Sequence, residues 1–354
     1  MRVLLDCRMA EWSGIGRYCK GLVRALAEEP DITIVQMVAA GAEPPVPSAE
    51  AVEAHHHPFS LRGALEFSRI ARAVAPDLTH ALHFPTPRPA ARPLVVTLQD
   101  LTPLAVPGVM PSAVKRAVYR RSIDRAVRLA DRILTPSQFS ARDVVRFFPG
   151  AEGRITPVLL AADDFTGGPV GVLPEWLNGH RFVLSMGNTK PHKDLPTLLR
   201  AFAALPDTSL TLVLAGTDPG GYAASVLGND PAVERVRFTG RVSDDTLRAL
   251  YASAELMAFP SLYEGFGLPP LEAMAFGTPV VVARAASVPE VVGDAAVMVD
   301  TGDADGFAAA MRSVLEDAAV AERLRVSGLA RAAGFTWRRT AERTLAVYRE
   351  AALA

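Results

Sequence analysis

Residues 264–277 read EGFGLPPLEAMAFG, and this stretch follows an apolar run at 256–260 and opens a helical pattern. Its glycines Gly265 and Gly267 let the backbone approach a ligand closely, and its two adjacent prolines suit the first turn of a helix, where a missing N–H group costs nothing. A helix that begins here directs free backbone N–H groups and the positive end of its dipole at an anion. The stretch therefore predicts an anion site between a buried strand and a helix.

Two glutamates frame this turn, Glu264 before the predicted helix and Glu272 near its first turn. If they face the same side, both can accept hydrogen bonds from sugar hydroxyls. We expect the buried stripe of the helix to be Leu271, Met274 and Ala275, with Glu272 off that stripe. The alternative is purely structural: an acid stabilised by the helix dipole, and a solvated loop glutamate.

The composition is that of an ordinary globular protein. The chain has 354 residues, of which 49% are hydrophobic and 21% charged, and its formal net charge is -1. The length predicts two domains, and the charge balance predicts no nucleic-acid partner. Two cysteines are too few for a disulfide framework or a zinc site, and no apolar stretch is long enough for a signal peptide or a membrane span. We therefore expect a cytoplasmic protein.

Apolar runs alternate with helical patterns in both halves, which predicts α/β domains with parallel sheets. The predicted strands lie at 3–5, 32–37, 78–82, 94–98, 133–134, 182–186, 210–215, 236–239, 256–259, 280–283 and 297–299. The predicted helices lie at 16–28, 61–74, 111–130, 138–147, 194–204, 244–252, 270–276, 304–315 and 318–332. A segment rich in glycine and proline, 160–179, is typical of a linker. We therefore place the domains at 1–165 and 175–336, with a ligand cleft between them.

A second candidate anion site is the loop GNTKPHKD at 187–194, which follows a predicted strand. It carries Lys190 and Lys193, two of only four lysines among the 37 basic residues. Lys193 beside a helix start can neutralise charge that develops on a leaving diphosphate. The alternative is a solvated turn lysine.

A third candidate is the turn SGIGRY at 13–18, which joins the first predicted strand to a helix. Gly14 and Gly16 allow backbone to approach phosphate or sugar atoms, and Arg17 adds a cation. The alternative is that the glycines serve tight packing and that Arg17 lies on the surface.

The two glutamates, the GFG-L-P between them and the GTPV at 277–280 resemble the E-x7-E motif of the retaining GT-B glycosyltransferases of family four, the glycosyl transferases group 1. The resemblance covers nearly the full length, and SGIGRY is similar to the opening of mannosyltransferase-like members. It implies a GT-B fold: two Rossmann-like domains with parallel sheets that face an interdomain cleft. It also implies a C-terminal helix, 337–354, that crosses back to the N-terminal, acceptor-side domain.

The resemblance also implies roles for single residues. Glu264 would hold hydroxyls of the donor sugar, Glu272 the ribose and Lys193 the diphosphate, so that Glu264 and Lys193 are the predicted catalytic residues. The predicted substrate-binding residues are Gly14, Gly16, Arg17, Gln99, Asp100, Asn188, Val242, Gly265, Phe266, Gly267, Leu268 and Glu272. We expect neither a metal nor another cofactor, because Lys193 and the helix dipole can supply the positive charge.

The chain departs from the family pattern in two places. Gln99 precedes Asp100 where most relatives carry a histidine that contacts the donor sugar, and glutamine can donate and accept hydrogen bonds but carries no proton at neutral pH. In the usual account of the family, the departing phosphate takes the proton of the acceptor, so this change concerns sugar recognition more than chemistry. Asn188 and His192 stand where arginine is common, which predicts a weaker cationic clamp.

Two further features have simple interpretations. The basic helix across 112–132 could contact an anionic membrane surface, but we favour a helix with one buried apolar side and a solvated arginine face. The apolar set is Val114, Val118, Ile123, Val127, Ala130 and Ile133. The histidine tract at 55–57 precedes a proline and lacks a metal-ligand pattern, so we expect a loop.

The sequence thus predicts a retaining hexosyltransferase that moves a hexose from a nucleoside-diphosphate sugar to an acceptor hydroxyl on a glycan, a lipid-linked molecule or a small molecule. The SGIGRY turn favours GDP-mannose as the donor, and glycan or glycosylated natural-product biosynthesis as the setting. Two alternatives are a nucleotide-sugar-binding pseudoenzyme with little turnover, which Gln99 favours, and a GT-B sugar epimerase or phosphorylase.

Overall fold

The computed structural model describes residues 1–12, 14–88 and 93–353. They form two compact units, each with its own parallel sheet and hydrophobic core. The first unit comprises Met1–Ala161 and the C-terminal segment from Thr336, and the second comprises Ala162–Phe335.

The first unit is built on a seven-stranded parallel sheet. Its strands are β1 (Arg2–Asp6), β2 (Thr33–Ala39), β3 (Glu50–Ala54), β4 (Leu78–Ala81), β5 (Leu94–Thr97), β6 (Arg132–Thr135) and β7 (Ile155–Pro157), and their order in the sheet is β3-β2-β1-β4-β5-β6-β7. Its helices up to this point are α1 (Ile15–Ala27), α2 (Leu61–Val74), α3 (Thr102–Ala105), α4 (Ala113–Leu129) and α5 (Gln138–Phe147). The sequence analysis misses the two edge strands, β3 and β7, because neither carries a buried apolar run.

The second unit is built on a six-stranded parallel sheet. Its strands are β8 (Phe182–Met186), β9 (Thr211–Ala215), β10 (Val236–Phe238), β11 (Leu256–Phe259), β12 (Val280–Ala283) and β13 (Val297–Val299), in the order β10-β9-β8-β11-β12-β13. Its helices are α6 (Asp163–Thr166), α7 (Leu195–Ala203), α8 (Tyr222–Leu227), α9 (Asp244–Ser253), α10 (Leu268–Ala275), α11 (Val288–Val292), α12 (Ala304–Glu316) and α13 (Ala318–Ala332).

The second unit begins at Ala162, which lies inside the predicted linker, 160–179, and before the predicted start of the second domain at residue 175. Phe165 packs edge-on against the rings of Tyr251 and Phe276, and Arg248 donates hydrogen bonds to the carbonyl oxygens of Phe165 and Pro169. Residues 162–165, which the sequence analysis places in the N-terminal domain, therefore belong to the second unit, and the ring of Phe165 is part of its buried interior.

The last helix, α14 (Trp337–Ala352), packs on the first unit. The ring of Trp337 lies so close to Gly21 of α1 that a Cβ atom there would overlap it. Tyr348 is fully buried, and its hydroxyl lies 2.6 Å from Nδ1 of His80 on β4. The C-terminal segment thus completes the first core.

In both sheets, successive strands of the chain are first added towards one edge and then towards the other, which creates one topological switch point in each sheet. The reversal lies between β1 and β4 in the first unit and between β8 and β11 in the second. Ligands of open parallel sheets bind outside the carboxyl ends of the strands at such points. The two switch points are therefore the places to look for binding residues.

The structure corrects the expected burial of α4. Ile123 and Val127 are buried, whereas Val114 and Val118 are 74% and 56% exposed. The C-terminal half of this basic helix packs on the unit, whereas its N-terminal half contacts the unit through Tyr119 and exposes valines beside arginines. Within the described residues, no helix combines the length and the apolar character that crossing a bilayer requires.

Candidate active site

An ion pair between Lys193 and Glu264 lies at the switch point of the second unit. Lys193 ends the short 3-10 turn after β8, and Glu264 lies in the loop after β11. Nζ of Lys193 lies 2.6 Å from Oε1 of Glu264, and the side chains are only 16% and 15% exposed. Nζ also lies 5.5 Å from the ring centroid of Phe259, which ends β11. The cation and the carboxylate are thus held together at the carboxyl ends of two neighbouring strands.

The turn after Glu264 ends at the N-terminus of α10. Gly267 precedes the helix with a φ of 113°, a conformation that favours glycine. Because the second and third helical residues are prolines, the backbone donors at this end are the N–H groups of Gly267 and Leu268. Ser287, fully buried, holds the turn, since its Oγ lies 2.9 Å from the carbonyl oxygen of Glu264 and 2.7 Å from that of Phe266.

Glu272 does not lie off the buried stripe of α10, as we expected, but within it. It is 3% exposed, and Ala275 is only half-buried. The hydroxyl of Tyr251 on α9 donates a hydrogen bond of 2.8 Å to Oε2 of Glu272, and the ring of Tyr251 stacks on Phe276. This charge-assisted hydrogen bond makes the burial of a carboxylate tolerable. Glu272 is therefore a fixed acceptor close to the N-terminus of α10.

The loops after β8 and β9 come close to each other. Gly187 and Gly216 are so near that a Cβ atom on Gly216 would collide with the backbone of Gly187. Asn188 is exposed, and its Oδ1 accepts a hydrogen bond of 3.1 Å from the backbone N–H of Lys190, so this side chain fixes the loop. Val242 is half-buried in the loop between β10 and α9.

The predicted residues of the first unit lie at the carboxyl ends of β1 and β5. Gly14 precedes α1 with a φ of 67°, and Gly16 packs so tightly on the carbonyl oxygen of Ala10 that it has no room for a Cβ atom. Arg17 is half-buried in the first turn of α1, and Ser13 of the same motif lies outside the described residues. Gly16 is therefore explained by tight packing, which the sequence analysis named as the alternative to a binding role.

Gln99 and Asp100 follow β5. Oδ1 of Asp100 accepts a hydrogen bond of 2.9 Å from the backbone N–H of Thr102. The backbone carbonyl oxygen of Asp100 accepts a second one, of 3.3 Å, from the hydroxyl of Tyr119. Asp100 therefore orders the entry to α3. In contrast, Nε2 of Gln99 is buried and has no hydrogen-bond partner among the described residues.

The structure thus brings the predicted residues of the second unit to one end of its sheet. The sequence analysis missed two residues that position them, Tyr251 and Ser287. Tyr251 belongs to the apolar pattern of α9, and Ser287 lies 23 positions from Glu264, so neither carries a local signal. No group of three or more potential metal ligands occurs in the parts of the chain that the structure describes.

Two family models and a curated relative match the sequence of this chain. The model of the family "Glycosyl transferases group 1" matches residues 175–330, and that of "Glycosyl transferase 4-like domain" matches residues 13–161. O-antigen chain mannosyltransferase B of Escherichia coli is 31% identical over 268 residues, which cover 72% of this chain and 70% of that protein. The chain belongs to the glycosyl transferases group 1 family.

Solved structures show that this glycosyltransferase has the GT-B fold, as predicted. Sucrose-phosphate synthase of Thermosynechococcus elongatus superposes with a TM-score of 0.79 at 20% identity, over 99% of this chain and 98% of that one. HepE of Anabaena, in complex with UDP and glucose, superposes with a TM-score of 0.76 at 18% identity, over 99% of this chain and all (100%) of that one. The family match and the mannosyltransferase relative confirm the predicted enzyme class, hexosyltransferase.

Proposed function

We propose that this glycosyltransferase transfers a hexose from a nucleoside-diphosphate sugar to an acceptor hydroxyl with retention of anomeric configuration, and that its donor is GDP-mannose. The observation that carries the proposal is the pair formed by Lys193 and Glu264 at the switch point of the second unit. It combines, within 2.6 Å, a cation for phosphate and a carboxylate for sugar hydroxyls.

The two side chains suit the two halves of such a donor. Lys193 would neutralise the negative charge that grows on the departing diphosphate, and this electrostatic effect lowers the barrier most in a site that is largely closed to water. Glu264 would accept hydrogen bonds from sugar hydroxyls and would hold the lysine in place before the donor arrives. The low exposure of both side chains supports these roles.

The remaining contacts would come from α10. The N–H groups of Gly267 and Leu268 at its N-terminus are suited to a phosphate or sugar oxygen. Glu272, fixed by Tyr251, would accept from the ribose hydroxyls. Asn188, Val242, Gly265 and Phe266 would line the site through the backbone of their loops.

Retention is the expected outcome for this family, in which the departing phosphate takes the acceptor proton. Gln99 fits such a reaction, since no side-chain base is needed there and its Nε2 can donate a hydrogen bond to the substrate. With Lys193 and the dipole of α10 as positive charges, we propose that the reaction proceeds without a metal ion or another cofactor.

The experiment is a turnover assay with purified protein and a panel of UDP-, GDP-, ADP- and dTDP-hexoses, read as nucleoside diphosphate released and as the anomeric coupling of the product by NMR. We expect release from GDP-mannose that depends on an acceptor, and an α-linked product. Release without an acceptor would instead indicate an epimerase or a hydrolase, and an inverted product would exclude retention.

A further inference from the structure

A groove lined by arginines lies on the first unit and has no part in the site described so far. It runs between α4 and the turn that follows α5, and its cavity volume is about 480 Å³. Arg120, Arg121 and Arg128 line it from α4, and Arg154 lines it from the residue just before β7. We call the cavity that these four side chains line the arginine groove.

The groove lies near the amino ends of two neighbouring strands. Helix α4 ends three residues before β6 begins at Arg132, and β7 begins at Ile155. Arg154 joins the two segments, since its guanidinium donates hydrogen bonds to the carbonyl oxygens of Ala130 and Gly150. The binding residues predicted from sequence for this unit follow the carboxyl ends of β1 and β5 instead. The arginine groove is therefore separate from the site proposed for the transfer reaction.

The spacing of residues along α4 explains how the groove forms. Positions 117, 120, 121, 124, 127 and 128 line the groove and are three or four residues apart, so they share one face of the helix. Val127 and Phe148 are the buried residues of the lining, at 3% and 6% exposed. The guanidinium of Arg120 lies 5.4 Å from the ring centroid of Phe148. The groove thus has an apolar floor and charged walls.

The walls carry more positive than negative charge. The lining contains one carboxylate, Asp124, which pairs with Arg128. Arg120, Arg121 and Arg154 have no carboxylate partner among the described residues. Burial and, to a smaller extent, the charges of other arginines lower the pKa of Arg125 on the same helix to about 10. A concave surface with charge of one sign concentrates the field and attracts counter-ions.

We propose that the arginine groove binds a small phosphorylated molecule through a phosphate or diphosphate group. A guanidinium matches two oxygens of a phosphate at once. Three cations without a carboxylate partner suit an anion of two or three charges, whereas a single carboxylate would neutralise only one of them. The cavity volume lies in the range of small-molecule sites.

A lipid surface fits the groove less well than a small anion does. Binding to a bilayer interface draws on exposed apolar side chains as well as on cations. Val127 and Phe148 are buried, and Phe147 is half-buried, so the groove has no large apolar side chain that is free to enter a bilayer. The proposal goes beyond the proposed function and does not depend on it.

Calorimetric titration of the full chain with inorganic pyrophosphate tests the inference. Pyrophosphate can also bind at Lys193, so the titration is done with the native protein and with Lys193→Met. We expect binding to both. In the Lys193→Met background, Arg120→Gln and Arg121→Gln should each weaken it about tenfold, because each removes a charge-assisted contact.

The matched control is Arg116→Gln in the same background. It removes the same charge from the same helix, and Arg116 is exposed but does not line the groove. Its affinity for pyrophosphate should stay within about twofold of that of Lys193→Met alone. Arg120 and Arg121 are exposed, so their variants should keep the melting point of the protein without ligand.

Each other outcome counts against the inference. If pyrophosphate at about 10 mM gives no binding heat, or if Lys193→Met alone abolishes the heat, the groove is not a phosphate site. If Arg116→Gln weakens binding as much as Arg121→Gln, the charge of the whole helix acts and not the groove. If the protein sediments with phosphatidylglycerol vesicles in a manner that depends on Arg121 but does not bind pyrophosphate, the arginines serve a lipid surface and the proposal is wrong.

Discussion

Replacing Glu264 with glutamine removes one negative charge from the site while nearly preserving the shape of the side chain. In the native protein this carboxylate lies 2.6 Å from Nζ of Lys193. A nucleoside diphosphate that binds here has to attract Lys193 away from Glu264 or share it. Glu264→Gln should therefore strengthen the binding of a nucleoside diphosphate that carries no sugar, even though it should impair catalysis.

The magnitude follows from the geometry of the pair. At 2.6 Å and an effective dielectric constant of about 20, the Coulomb energy is about 6 kcal/mol. Desolvation of two groups that are about 15% exposed offsets most of this energy, and a hydrogen bond between charged groups contributes a net ~1.5–3 kcal/mol. If the diphosphate recovers about half of the lower value, its affinity rises about threefold to fourfold. Turnover should fall by about 30-fold or more, because a charged contact to the sugar is lost.

Isothermal titration calorimetry with the preferred nucleoside diphosphate measures the first effect, and initial rates measure the second. Lys193→Met should weaken diphosphate binding at least about tenfold. The matched control is Glu255→Gln, which breaks a pair of 3.0 Å with Arg181 on a more exposed surface of the same unit and should change neither quantity. If Glu264→Gln weakens diphosphate binding as strongly as Lys193→Met does, Glu264 does not compete with the diphosphate for Lys193.

Three further predictions concern the supports of the two units. Tyr251→Phe removes the hydroxyl that donates to buried Glu272. It should reduce the free energy of unfolding and weaken nucleotide binding, each by about 1.5–3 kcal/mol. Thermal melting and calorimetry measure the two effects, and an unchanged melting point would contradict the prediction. Gly16→Ala should destabilise more than Gly14→Ala, since a Cβ atom at position 16 overlaps a carbonyl oxygen whereas at position 14 it meets open space and only the φ of 67° opposes it; equal melting points would refute this. Burial lowers the pKa of His80 from 6.5 to about 3. Below pH 6.5 the unfolded chain therefore takes up a proton that the folded chain does not, and the free energy of unfolding falls by about 1.4 kcal/mol per pH unit down to about pH 3. The melting point of His80→Gln should drop less between pH 7 and pH 5 than that of the native protein.

The sequence was sufficient for the interior strands and for both edge strands of the second sheet, but not for the two edge strands of the first sheet. The interior strands carry buried apolar runs, as β11 does with four buried residues, and such runs can be recognised in the amino-acid sequence alone. The edge strand β3 reads EAVEA and has three exposed residues, because an edge strand is shielded on one side only and tolerates polar side chains. Its presence depends on pairing with β2, which no local pattern reveals.

The same distinction applies to the candidate site. The glycines, prolines and glutamates of residues 264–277 indicated a turn and a helix start, and both occur there, although α10 begins at Leu268 instead of residue 270. The contact between Lys193 and Glu264 spans 71 positions of sequence, so that it arises from the neighbouring positions of β8 and β11 in the sheet. The burial of Glu272 was predicted wrongly because the tyrosine that pairs with it lies on another helix.

The central claim is that Glu272, Glu264 and Lys193 form a nucleotide-sugar site on the second unit. Calorimetric titration of Glu272→Ala with UDP, GDP, ADP and dTDP tests it most directly, beside the exposed control Glu322→Ala, which only breaks a surface pair with Arg325. We expect the native protein and the control to bind one of these nucleotides equally, and Glu272→Ala, with a retained melting transition, to bind it at least about a hundredfold more weakly. Unchanged affinity of Glu272→Ala for all four nucleotides would contradict the assignment of the site.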